Sequence, residues 1–458
     1  MSGGWLRPLG YLGFVLAGAF LLSGIVAGVY GEYRELPFFL IPGLCAIVAG
    51  VVTVFRSPAA DLSPRDAMAF AALVYLLFSL VGALPFLGVS GFLRGWFEAL
   101  SGITTTGLSL YTPEELPRSL LFFRSLLQWI GGAGILLLSL ALFLPPGRTA
   151  LSLYAAEYGQ ENIFGNVRLV ARRVGEVYLG LTALGFLGFW GAGMSPFGAA
   201  CHILSTLSTG GFSIYSDSIG HYSSGVTQGI VALFMLFGAT SFPLFWLLVR
   251  GKAKALLSEP QVFLLLGGAL VMGFLLWPAM GGPRGIFQAV SALSTTGFAT
   301  TPTQSLSPAA KGLVILGMVM GGAGGSTAGG LKLFRVMALW ALIIWSFRRV
   351  VLPKEAEIPF RLGRHIFPAE EVLEYGAYAL LYSVALLGGS LVIAAHGYRF
   401  GDSLFEAASA LGTVGLSVGI TSATAPIGVK LVLMALMWMG RLEIIPVLLF
   451  LRRLGGRA

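Results

Sequence analysis

The chain has 458 residues, 56% of them hydrophobic and 11% charged, with a formal net charge of +9. So little charge spread over so much apolar chain excludes a soluble globule and points to a polytopic membrane protein. Two distant cysteines, Cys45 and Cys201, exclude a disulfide framework, and the scattered His202, His221, His365 and His396 form no metal-ligand constellation.

In chain order, residues 9–30 and 37–55 are apolar runs of spanning length. The first is too long for a signal-peptide core and a second follows at once, so residues 1–60 are predicted as two uncleaved transmembrane helices. A unit of outer helix, re-entrant pore loop and inner helix then recurs four times, over residues 61–148, 149–254, 255–352 and 353–458. The outer helices are expected at 67–87, 174–194, 262–280 and 372–395, and the inner helices at 120–144, 225–249, 311–347 and 426–451. The result is an all-α membrane fold of ten spans with four pseudo-symmetric repeats.

The repeats are visible in a pattern written four times, most clearly as FEALSGITTTG at residues 97–107. Aligning Gly107, Gly211, Gly297 and Gly415 places Phe97, Cys201, Phe287 and Phe405 in one column and Ser101, Ser205, Ser291 and Ser409 in a second. Thr105, Thr209, Thr295 and Thr413 form a third, and Leu108, Phe212, Phe298 and Leu416 follow the glycines. Non-helical backbone at membrane depth must be buried in protein or line a watery path. Glycine permits the dihedrals that turn successive carbonyls toward an axis, and a ring of such oxygens can replace the hydration shell of a cation. The predicted selectivity filter is therefore Thr105, Thr106 and Gly107; Thr209, Gly210 and Gly211; Thr295, Thr296 and Gly297; and Thr413, Val414 and Gly415. No acid lies within these loops, so carbonyl dipoles must carry the selectivity, helped by the negative C-terminal ends of the preceding half-helices. In the second loop the two glycines are adjacent, and Gly211 is chosen by its register with Phe212.

Charge placement bears on topology. Eighteen Lys and Arg residues fall at the termini and the inter-unit loops, including Arg148, Arg168, Arg172, Arg173, Lys354, Arg364 and Arg457, against seven on the pore-loop side. The positive-inside rule puts both termini in the cytoplasm, and the asymmetry accounts for the net charge without a nucleic-acid partner. The third inner helix contains GGAGGSTAGG, six glycines in ten residues, each weakening a helix by about 1 kcal/mol relative to alanine. A gate is predicted there, at Gly321, Gly322, Gly324, Gly325, Ser326, Thr327, Gly329 and Gly330, with Lys332 just beyond. Arg441, in an apolar stretch of the fourth inner helix, is costly unless it faces a cavity or a partner, and Glu443 two positions on is badly placed to pair with it. It joins the predicted gate.

These motifs resemble the TrkH/KtrB superfamily of potassium transporters. TTTGL, STGGFS, STTGF and GTVGLS look like its filter loops, while RSLLQWIGGAGI (124–135), GATSFP (238–243), GGSTAGGLK (324–332) and MGRLEI (439–444) look like its inner-helix signatures. The resemblance covers about residues 60–451, and the two extra N-terminal helices match TrkH-type members. It implies gated potassium uptake by a pore-forming subunit in the plasma membrane of a bacterium or archaeon, with K+ as cargo. It also implies a homodimer with one pore per subunit and a cytoplasmic TrkA/KtrA-type ring that binds nucleotide, with no organic cofactor in this chain. The alternative is a Na+-coupled or Na+-permeable transporter of KtrB type. An enzyme would need a nucleophile with its base or clustered carboxylates, and none is visible.

Overall fold

The computed structural model describes residues 5–58, 62–143, 167–351, 360–362, 365–366 and 369–455. Arg148, Lys354, Arg364 and Arg457 lie outside the described residues. Two helices, Leu6–Val29 and Leu36–Arg56, form an N-terminal hairpin. A Cβ at Gly10 would overlap Thr53, and one at Gly50 would stand 2.9 Å from the Phe14 ring and 3.0 Å from the Gly10 carbonyl, so the two backbones touch at glycine. The hairpin's turn reaches the first repeat: the Glu32 carboxylate accepts the Arg118 and Ser119 amides at 2.7 and 2.9 Å. These are first-turn N–H groups of an inner helix, which have no partner within their own helix.

Four repeats follow. The outer helices are Pro64–Gly82, Val167–Gly191, Pro260–Met280 and Ala369–Ala394, and the short pore helices are Phe92–Ile103, Pro196–Leu207, Arg284–Leu293 and Phe400–Leu411. The first inner helix, Arg118–Phe143, is continuous; the others are Gly225–Ala239 with Phe242–Val249, Pro308–Met320 with Leu333–Val351, and Ile427–Arg441 with Ile445–Leu454. The sequence reading expected unbroken second and fourth inner helices, but these bend by 102° and 114°. Thr240 is extended and the next helix opens with a proline in its first turn; Glu443 and Ile444 have φ of 64° and 58° before a helix that also opens on proline. A proline in the first turn of a helix forfeits no intrahelical hydrogen bond, so each break is placed where the chain can restart.

Among the described residues, seven helices are long and apolar enough to cross a membrane, and up to nine segments qualify when each bent pair counts as one. The expected tenth is the third inner helix, split at the glycine-rich stretch into halves that begin with the 13-residue Pro308–Met320. A two-residue antiparallel pairing, Arg361–Leu362 with His365–Ile366, is the one extended element among the described residues. Inner helices lie against the C-terminal ends of pore helices through glycine. A side chain at Gly131 or Gly440 would overlap the carbonyl of Ile103 or Leu411, one at Gly238 would stand 2.9 Å from that of Leu207, and one at Gly317 3.1 Å from the Ala292 Cβ.

Candidate ion pathway: four loops and a glycine-rich crossing

Each pore helix closes in the same way. Thr105, Thr209, Thr295 and Thr413 take left-handed φ of 51°, 53°, 55° and 51°. The next amide, of Thr106, Gly210, Thr296 or Val414, turns back to the carbonyl of Ser101, Ser205, Ser291 or Ser409 at 2.9, 2.8, 3.0 and 2.8 Å. These bonds consume carbonyls left over at the helix end, and the chain leaves toward the centre of the molecule.

There the four loops meet in cyclic order. A side chain at Gly107 would strike the Gly210 carbonyl oxygen, one at Gly211 that of Thr296, one at Gly297 that of Val414, and one at Gly415 that of Thr106. Each glycine thus abuts the residue before the glycine of the following loop, and the fourth returns to the first. Their φ values, +87°, +74°, +82° and +96°, are ones glycine adopts freely. In the second loop Gly211 carries the positive φ, whereas Gly210 lacks a side chain for another reason: its Cβ would overlap the Gln128 amide. A cavity of about 530 Å³ is lined by all four of these glycines together with Tyr111, Tyr215, Thr300 and Ser417.

Behind the loops stands a column that the sequence reading missed. Nine residues before each glycine come Glu98, His202, Gln288 and Glu406, all fully buried. Glu98 accepts the Ser109 hydroxyl at 2.9 Å, the Leu110 amide at 3.4 Å and Arg124 Nη1 at 2.9 Å. Glu406 accepts the Ser417 hydroxyl at 2.7 Å and the amides of Val418 and Thr421 at 3.1 and 2.8 Å. His202 Nε2 lies 3.0 Å from the Ser213 hydroxyl. The third repeat has Ala299 where the others have serine, and among the described residues the Gln288 amide has no partner. Arg124 also donates to the Ser213 carbonyl and lies 4.7 Å over the Phe212 ring. The acids therefore brace the segments after the glycines and leave the loops free of carboxylates. Their common distance from the glycine was the available signal, obscured because the column employs three residue types, Glu, His and Gln.

On the side opposite the cavity, the glycine-rich segment passes beneath the loops. The Gly329 amide donates to Thr295 Oγ1 at 2.7 Å, and a side chain at Gly329 would strike Gly412 and Thr413. The Thr327 hydroxyl lies 2.9 Å from the Leu207 carbonyl and 2.8 Å from that of Gly238. Gly324 N–H donates to Gln261 Oε1 at 2.9 Å, Ala323 N–H to the Ala239 carbonyl at 2.9 Å, and Phe242 N–H to the Gly325 carbonyl at 3.0 Å. Gly321, Gly325, Gly330 and Lys332 all have φ between 71° and 74°, which ends one helix and delays the next. Gly322 packs on Ala239 and Ala328, and the Ser326 hydroxyl donates to the Ala323 carbonyl at 2.5 Å.

Arg441 reaches this segment. Its Nη1 donates to the Thr327 carbonyl at 2.6 Å and its Nη2 to the Gly131 carbonyl at 3.0 Å, which also accepts the Tyr75 hydroxyl at 2.9 Å. Glu443 pairs instead with Arg335 at 2.5 Å, a residue the sequence reading did not single out. Lys332 is buried and donates to the Ala328 carbonyl.

Comparisons with known proteins agree with this architecture. Residues 39–261 and 283–454 match the TrkH family, described as a cation transport protein. The chain is 31% identical over 439 residues to an uncharacterized cation transporter of Methanocaldococcus jannaschii, covering 94% of this chain and 92% of the relative. It is 29% identical over 478 residues to the Trk system potassium uptake protein TrkH of Escherichia coli, covering 96% of each. The crystal structure of the potassium transporter TrkH from Vibrio parahaemolyticus superposes with a TM-score of 0.87 at 27% identity, over 98% of this chain and 99% of that one. This membrane protein therefore belongs to the TrkH family of cation transport proteins.

Proposed function

We propose that this chain is the pore-forming subunit of a potassium uptake system, in which K+ crosses the membrane through the four-loop ring and a gate beneath it. The observation that carries the reading is the cyclic contact of Gly107, Gly211, Gly297 and Gly415 with the carbonyls of Gly210, Thr296, Val414 and Thr106. Four backbone turns converging on one axis supply neutral oxygen ligands, which suit a weakly hydrated monovalent cation better than a divalent one. The names of the relatives as potassium uptake proteins and potassium transporter support the choice of K+.

In this reading the segment 321–330 is the gate. Its backbone lies under three of the loops, and Arg441 donates to the Thr327 carbonyl within it, adding a positive charge that opposes cation passage while the segment is in place. Both termini are cytoplasmic by the distribution of Lys and Arg. A homodimer and a nucleotide-binding cytoplasmic ring complete the system; exposed basic residues such as Arg348 and Arg349 offer that ring a charged surface. Copurification with such a ring should weaken at high salt, and binding that survives high salt and charge reversal at these residues would place the docking surface elsewhere. The experiment for the filter is Gly107→Ser, which should lower the K+ to Na+ permeability ratio because an added side chain meets the Gly210 carbonyl.

A further inference from the structure

The four loops are braced in two different ways. In the first and third, the residue before the glycine bears a hydroxyl that bonds within its own loop: Thr106 Oγ1 to Thr104 Oγ1 at 2.9 Å, and Thr296 Oγ1 to Ser294 Oγ at 2.8 Å. In the fourth, Val414 fills the same place with methyl groups, and a side chain on Gly412 would stand 3.2 Å from its Cγ2. The second loop has Gly210 there and no side chain to brace it. Gln128 of the first inner helix occupies that space.

Its contacts are two-sided. Gln128 Nε2 donates to the Gly210 carbonyl at 2.5 Å, and Gln128 Oε1 accepts the Phe212 amide at 3.1 Å, so one fully buried side chain grips the backbone on both sides of Gly211. The other inner helices offer nothing similar. Three residues before the glycine that packs on its pore helix, the first inner helix has Gln128, whereas the second, third and fourth have Met235, Val314 and Met437, all fully buried. Among the described residues, no side-chain donor reaches the carbonyls of Thr106, Thr296 or Val414. The Gly210 oxygen is therefore the one member of the set whose direction is held, and whose electron density is shared, by an N–H donor. A carbonyl already accepting a bond is a weaker cation ligand and is slower to follow a smaller ion inward.

We propose that Gln128 is a specificity-determining positioning residue: it sets the discrimination between K+ and smaller cations by holding the Gly210 carbonyl from the first inner helix. This rests on the reading of the four loops as the filter. The test is the permeability ratio of K+ to Na+ per open pore, which a merely space-filling residue would not move. Gln128→Leu conserves volume and loses both bonds, and should lower the ratio by about two- to tenfold, the effect of one buried hydrogen bond of ordinary net strength. The paired exchange Gln128→Met with Gly210→Thr gives the second loop the bracing of the first and third, and should recover part of that loss. A wild-type ratio in Gln128→Leu, or no recovery in the paired exchange, overturns the proposal. Should Gln128→Leu fail to accumulate in membranes, Gln128→Asn decides in its place: it is too short to reach both backbone groups, so a lowered ratio supports the proposal and an unchanged one overturns it. Gly107→Ser measured alongside separates the failures. An unchanged ratio there counts against the filter itself, whereas a lowered ratio there with an unchanged one at position 128 removes this inference alone.

Discussion

A threonine with φ near +50° is costly, on the order of 1–3 kcal/mol, because its branched Cβ crowds the backbone. This chain holds four, at Thr105, Thr209, Thr295 and Thr413. What offsets them is closure of each pore helix onto its serine carbonyl and the fit of each loop against the next. The threonine and glycine columns were legible in the sequence because one residue type recurs at one spacing. Their left-handed threonines were not, since nothing in the pattern distinguishes a strained threonine from an ordinary one. The buried ion pair of Glu98 and Arg124 is a further residue-scale commitment, both side chains being at most 1% exposed. Arg124→Ala would leave the buried Glu98 with the Ser109 hydroxyl and the Leu110 amide but no opposite charge, and should destabilise the protein by about 3–5 kcal/mol. Thermal unfolding in detergent reads this, and replacing both partners by neutral residues should recover much of the loss; an Arg124→Ala protein as stable as the parent would show that the pair does not brace the loops.

At the scale of elements, three of the four inner helices are interrupted, and only one interruption was announced by its composition. Six glycines between residues 321 and 330 made unwinding foreseeable. The bends of 102° and 114° rest on short polar stretches before a proline, GATSFP and RLEIIP, a weaker signal that hydropathy smooths over. The segment 321–330 is held almost wholly through backbone groups and Thr327, so moving it exposes few apolar side chains. Deleting several of its residues, or Arg441→Ala, should each raise cation flux in the absence of any partner. The two effects should be less than additive, because Arg441 holds the same segment by the Thr327 carbonyl. Folded variants whose flux stays at the parent level would make the glycines packing residues.

For the whole molecule, composition and repeat length indicated the class and the fourfold plan, while the cross-repeat contacts are tertiary and left no trace in local pattern. Glu114 of the first repeat accepts the Ser216 amide of the second at 2.7 Å, the Gly220 amide of the second donates to the Ala299 carbonyl of the third, and the Thr303 hydroxyl of the third donates to the Ser417 carbonyl of the fourth. The repeats are thereby tied around the cavity, and the N-terminal hairpin is tied to the first of them through Glu32. Such a closed arrangement suits a stationary pore better than rigid-body rocking of one half against the other. The most direct measurement is flux of K+, Rb+ and Na+ into vesicles containing the purified chain, gate-segment deletion and Gly107→Ser compared, with no added coupling ion. The account predicts that the deletion variant admits K+ and Rb+ down their gradients well ahead of Na+, and that adding Gly107→Ser narrows this preference. Equal entry of all three ions before that substitution, or entry only when a second ion is supplied, would contradict it.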